Sequence, residues 1–102
     1  MSTGKPHLTE AECLAMGDEW AMLSRRSEKW LWLTEAHNKW MVQRNIWTPG
    51  SGNLRQGSTT RLQSFLDQRH AVSQGWNTAY RNDWVTKFND FYIFALTTRI
   101  AG

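Results

Sequence analysis

From Thr9 to about residue 46 the apolar positions recur at helical spacing. Met16, Trp20, Leu23, Ser27, Trp30, Thr34, His37 and Met41 follow alternating steps of four and three, an a/d-type seam with polar members. Leu33, Ala36, Trp40 and Trp47 form a second apolar face, so the apolar arc is wider than one seam requires. The run starts at Thr9-Glu10-Ala11-Glu12, a T-x-x-E capping box in which the Thr hydroxyl takes a backbone N–H and Glu12 reaches back. Leu8, just before it, is placed to staple onto Cys13 or its neighbours. The stretch Ser24 to Lys29 is polar for more than a full turn. It predicts a break with Ser24 or Ser27 capping a second helix; the other reading is one long helix that projects past its partner. Gly17 costs the first segment about 1 kcal/mol relative to Ala.

Thr48 to Ser58 holds three Gly and one Pro and predicts a central loop over 48–58. The halves around it, 9–46 and 59–98, are nearly equal. Ser58, Thr59 and Thr60 suit the start of the second half. Leu62, Phe65, Leu66 and Val72 then mark a helical stripe, and Ser73-Gln74-Gly75 marks a C-cap or kink. Beyond it, Trp76, Tyr80, Trp84, Phe88, Phe91 or Tyr92, and Ala95 recur every three to four residues. Asn77, Arg81, Asn82, Lys87 and Asn89 lie largely off that stripe. Strand alternation is sustained nowhere. The expected fold is all-α: an antiparallel helical hairpin, with each arm broken or not, or a small helical bundle. It forms one domain, with residues 1–8 as an extended arm and 47–58 as the connection. Unbroken arms would be about 57–60 Å long at 1.5 Å per residue.

Composition adds a question. The 102 residues include seven Trp, four Phe and two Tyr. Each large ring buries about 150–250 Å². A chain of this size hides only roughly 60–68% of its unfolded surface. Either some rings stay on the surface, where Trp marks interfaces, or the core is unusually aromatic. Net charge is +3, with nine acidic residues interspersed among the basic ones, so phosphate affinity is permitted and not required. No signal-like segment opens the chain and the longest apolar run, Phe91 to Leu96, has six residues, far from the ~20 that span a bilayer. These features predict a soluble cytoplasmic protein without a membrane anchor. The single Cys13 fits a reducing compartment and reads as a buried thiol.

No catalytic or metal-binding pattern emerges. Cys13 lacks a local signature linking it to His7, His37 or His70. The histidines are about thirty residues apart, without ligand spacing. His37 reads as a hydrogen-bonded core imidazole and His70 as solvated. Glu10 with Glu12 is explained by capping, and Gly50-x-Gly52 lacks the G-K-[ST] of a phosphate loop. No enzyme, cofactor or metal is expected.

The segment Arg25–Trp47 threads four Trp between five basic residues. Two readings compete. In the first, Trp30, Trp32, Trp40, Trp47, Trp76 and Trp84 are contacts of a structural or accessory assembly protein, such as a phage-type virion component. Its partners are other protein subunits, in a homo- or hetero-oligomer. In the second, Arg25, Arg26, Lys29 and Arg44 face phosphate as rim charges of a small basic regulator that binds nucleic acid or inhibits a nucleic-acid enzyme. Trp30 and Trp40 project about 80° apart on a helix and make no single stacking platform, which favours the first.

In outline the chain resembles the secreted helical hairpins whose turn carries W-x-G. Here the turn reads Trp47-Thr48-Pro49-Gly50, and the Y-x-x-x-[DE] signal is absent, since Tyr80 is followed four on by Trp84 and Tyr92 by Leu96. Membership is not assigned.

Overall fold

The computed structural model describes residues 7–44, 54–75 and 77–101, with the backbone alone for 54–60 and 100–101. The described residues form helices α1 (Glu10–Ala21), α2 (Glu28–Gln43), α3 (Leu54–Asp67), a single turn α4 (Arg69–Ser73) and α5 (Thr78–Ala101), and no strand. The fold is a small all-α bundle.

Local sequence explains most helix ends. Thr9 Oγ1 accepts the Glu12 N–H at 3.1 Å and Glu12 Oε1 accepts the Thr9 N–H at 2.8 Å, completing the capping box of α1. The break between α1 and α2 is present, and Ser27 is the N-cap: its hydroxyl accepts the Trp30 N–H at 3.1 Å and donates to the Ser24 carbonyl at 2.7 Å. Arg25 fastens the same corner by donating to the carbonyls of Ala21 and Leu23 and to Gln63 of α3. Gly75 follows α4 with φ +67, the left-handed conformation that ends helices and suits glycine. Asn77 accepts the Tyr80 N–H at 3.0 Å at the head of α5. The helical backbone of α3 begins at Leu54, four residues ahead of Ser58 and inside the segment expected to be loop. Leu54-Arg55-Gln56 are good helix formers, and their propensity outweighs the punctuation of Gly57.

The four longer helices pack as a ring in the order α1, α3, α2, α5, so the two helices of the first half occupy opposite corners. The molecule measures 35 × 34 × 28 Å, too short for two straight arms. The helices are interrupted at residues 22–27, at Gln68 and after α4, so neither half is one straight arm.

Much of the expected stripe faces inward, while Met16, Leu23, Ser27 and Thr34 are half-buried and Tyr80 is exposed. Trp20, Trp30, His37 and Met41 of the seam are buried, as are Leu33, Ala36 and Trp40 of the second face. Leu62, Phe65, Leu66 and Val72 join them from α3 and α4, and Trp84, Phe88, Phe91 and Ala95 from α5. Gly17 lets α1 approach closely: a Cβ there would meet Arg69 Cδ at 3.3 Å and Trp84 at 3.7 Å.

Candidate functional sites: the aromatic core, a Trp32 groove and a basic cleft

The side chains that cross the ring of helices are aromatic. Trp20 stacks on Phe88 with centroids 5.1 Å apart, and Phe88 continues to Trp84 at 5.1 Å and Phe65 at 6.0 Å. Phe91 then meets Trp40 at 5.2 Å and, edge-on, His37 at 5.2 Å. Such pairs add about 0.5–1.5 kcal/mol each beyond their buried area. The Trp84 indole N–H donates to the Phe65 carbonyl at 3.0 Å, and Arg69 Nη1 donates to the Leu66 carbonyl at 3.0 Å. Both acceptors belong to the last turn of α3, where carbonyls need partners from outside the helix.

This arrangement sorts the residues singled out from sequence. Trp30, Trp40 and Trp84 lie inside the chain's own core, with 1%, 4% and 1% of their surface exposed. They do not form an outer face of the folded monomer, because the ring of helices supplies the cover that a partner was expected to supply. Trp32 is half-buried at the surface. Trp47 and Trp76 lie outside the described residues. Among the basic residues, Arg25 stacks over Trp30 at 3.9 Å and spends its donors inside the chain. Arg26 is exposed, Lys29 pairs with Glu19 at 3.8 Å, and Arg44 lies over Trp40 at 4.5 Å. They are not gathered into one track: Lys29 and Arg44 line two different depressions.

The first depression is a groove of about 410 Å³ lined by Glu28, Lys29, Trp32 and Arg99. Arg99, near the end of α5, stacks over Trp32 at 4.8 Å. The Trp32 Nε1 is buried and meets no acceptor among the described residues. Leu31 beside it is 56% exposed.

The second is a cleft of about 380 Å³ where α2, α3 and α5 meet. Helical spacing builds it: His37 and Met41 line up on α2 with Arg44 just past its end, and Arg61, Ser64 and Phe65 on α3 with Gln68 just past its end. Lys87 comes from α5, where it also pairs with Asp83 at 2.9 Å. His37 is 1% exposed, and neither ring nitrogen finds a hydrogen-bond partner among the described residues. That corrects the expected hydrogen-bonded imidazole: α2 turns the ring toward Trp40, Phe65 and Phe91, which offer π contacts and no acceptor. Burial first, then the charges of Arg61 and Arg44, push its pKa down to about 4, so the ring is neutral at pH 7.

One polar feature escaped the sequence pattern. Asn89, off the stripe by periodicity, is 5% exposed. Its Oδ1 accepts the Leu8 N–H at 2.6 Å and its Nδ2 donates to the Leu8 carbonyl at 3.0 Å, which ties the chain ahead of α1 to α5. Its Nδ2 also donates to the Val85 carbonyl at 3.1 Å and lies 3.7 Å from Cys13 Sγ. The Cys13 thiol is buried, and burial together with Glu12 and Glu10 pushes its pKa up to about 11, far from a reactive thiolate. Among the described residues no group of His, Cys, Asp and Glu gathers in a metal-binding arrangement, and no helix is long and apolar enough to cross a membrane.

Comparison with protein-family models, curated proteins and solved structures finds no match to this chain.

Proposed function

We propose that this protein works by association, not catalysis, as a structural or accessory subunit that docks one face of its bundle onto another protein subunit. The observation that carries the reading is the Trp32 groove. A Trp stacked under an Arg combines two of the residue types most enriched at interface hot spots, and the neighbouring Leu31 adds exposed apolar surface. Glu28, Lys29 and Arg99 give the groove charges of both signs, which select a partner by complementarity more than they add affinity. The nucleic-acid reading has less support. Bases stack on open rings, whereas Trp30 and Trp40 are buried, and Arg25 and Lys29 are engaged within the chain. A phage-type virion component remains one form of the assembly reading; it rests on size and on the lack of a catalytic pattern.

The test places a photo-cross-linking amino acid at Leu31, with a second chain carrying it at exposed Ser73 as control. Light scattering of the purified chain at low and high salt runs beside it. A single adduct of defined mass from position 31 only, lost in Trp32→Ser, is the expected result; an apolar contact also persists as salt rises. A monomer at every concentration together with no position-specific adduct in expressing cells would sink the reading.

A further inference from the structure

A third depression, of about 320 Å³, lies along α1 and is lined by Leu8, Glu12, Ala15, Met16 and Glu19. The spacing of its four helical residues puts them on one face of α1. Glu19 is also the ion-pair partner of Lys29, which lines the Trp32 groove. The two depressions are therefore neighbours divided by one ion pair. Together they form a furrow across α1, the head of α2 and the end of α5. Both ends have an apolar floor, Leu8, Ala15 and Met16 in one and Trp32 in the other. The ends differ in charge. The charged residues that line the α1 end are Glu12 and Glu19. Lys29 and Arg99 line the other, with Glu28 in the first turn of α2, where the helix dipole favours an acid. Arg99 has its ring contact with Trp32 and no ion pair among the described residues. Three large apolar side chains stand out as exposed among the described residues, and two of them flank the dividing ion pair in sequence. Met22, 85% exposed, follows Glu19 by three residues, and Leu31, 56% exposed, follows Lys29 by two.

We infer that the occupant of this furrow is a second copy of the chain, related by a two-fold axis that passes near the Glu19–Lys29 pair. The inference rests on the association reading above and names its partner. A two-fold axis sets each end of a surface against the opposite end of its copy. A furrow with one sign of charge at both ends would repel itself in that arrangement. This furrow instead sets Glu12 against Arg99 of the second copy, and does so twice. Glu12 is available for the contact, because the Thr9 N–H holds only one of its carboxylate oxygens. The two Glu19–Lys29 pairs meet at the axis with their signs alternating. Charge fixes the orientation of the copies, and the apolar floor with Met22 and Leu31 supplies most of the affinity. A uniformly acidic or basic peptide would answer one end of the furrow only, whereas a second copy answers both.

The experiment is sedimentation of the whole chain from micromolar to millimolar concentration, with circular dichroism to confirm the fold of each variant. A dimer with a dissociation constant in the micromolar range is expected. Met22→Asp, on a side chain outside the core, weakens it by about tenfold or more, because every substitution enters a two-fold interface twice. Glu12→Gln keeps the capping box, removes the charge and weakens the dimer less. Glu12→Arg and Arg99→Glu each set like charges together at both contacts and weaken it by about tenfold or more. Mixed in equal amounts, these two variants restore both contacts, and a heterodimer about as tight as the native dimer is expected. A monomer at every concentration, a dimer indifferent to Met22→Asp, or a mixture no tighter than its two separate variants overturns the assignment. A monomer that still gives a position-31 adduct with a different protein ends this inference and leaves the association reading standing; a monomer with no such adduct ends both.

Discussion

A histidine without hydrogen bonds in an aromatic core changes how the protein responds to acid. His37 holds its proton only below about pH 4 when folded, against 6.5 for the free side chain. Below pH 6.5 the unfolded chain therefore takes up a proton that the folded chain refuses, and stability falls as pH drops. The loss begins near pH 6.5, is complete near pH 4, and amounts to roughly 3 kcal/mol. Carboxylates contribute to acid unfolding as well, so the informative quantity is a difference. Urea midpoints at pH 7 and pH 4.5 are expected to separate widely for the native chain and less for His37→Leu. Parallel pH profiles for the two would show that the imidazole does not carry this effect. The Asn89 side chain is the contrasting case, since both ends of its amide have partners. The sequence declares the burial of His37, which sits on the seam, but not its lack of partners, and it does not declare the burial of Asn89. His37 sits on a legible stripe, but its lack of partners depends on three rings from two other helices and its own. Asn89 is off the stripe, and it is buried because Leu8 folds over it.

At the level of the helices, ends were more legible than environments. Capping acts within a few residues, so Thr9, Ser27 and Gly75 could be picked out from local sequence alone. Ser27 does more than cap: it also ties to Ser24 across the turn that separates α1 from α2. Ser27→Ala is expected to cost about 1 kcal/mol or somewhat more, and Ser24→Ala, which removes only an exposed 3.2 Å contact to the Arg26 N–H, less than half of that. Chemical denaturation distinguishes them, and equal costs would mean that the break is held by Arg25 and not by the cap. α3 starts earlier than the Gly and Ser of 48–58 predict, because Leu54-Arg55-Gln56 carry the helix forward. Propensity and punctuation compete over the same few residues there, and nothing local decides between them.

Across the whole molecule, the aromatic residues serve mainly as the filling of the four-helix ring. Trp84 is the test of that role, because it combines a fully buried ring with a hydrogen bond to the end of α3. Trp84→Phe is expected to lose about 2–4 kcal/mol, through a cavity and an orphaned carbonyl. Trp32→Phe, at the half-buried groove, is expected to stay within about 1 kcal/mol. Thermal unfolding of the two variants gives the comparison, and equal losses would place Trp32 in the core as well. The periodicity of the sequence determined that the protein is helical, where two of its breaks fall, and which side of each helix is apolar, because those properties depend on neighbours within a turn or two. It could not determine what covers the apolar side. A stripe of Trp looks the same whether another helix of the chain or another protein lies against it. Only the tertiary structure decided that α1 and α2 sit at opposite corners with α3 and α5 between them, which encloses Trp20, Trp30, Trp40 and Trp84 and leaves Trp32 with Leu31 at the surface. The basic cleft has the same origin: Arg44 and Arg61 lie in different halves of the chain from each other, and they line one cleft with Lys87 only in the folded bundle.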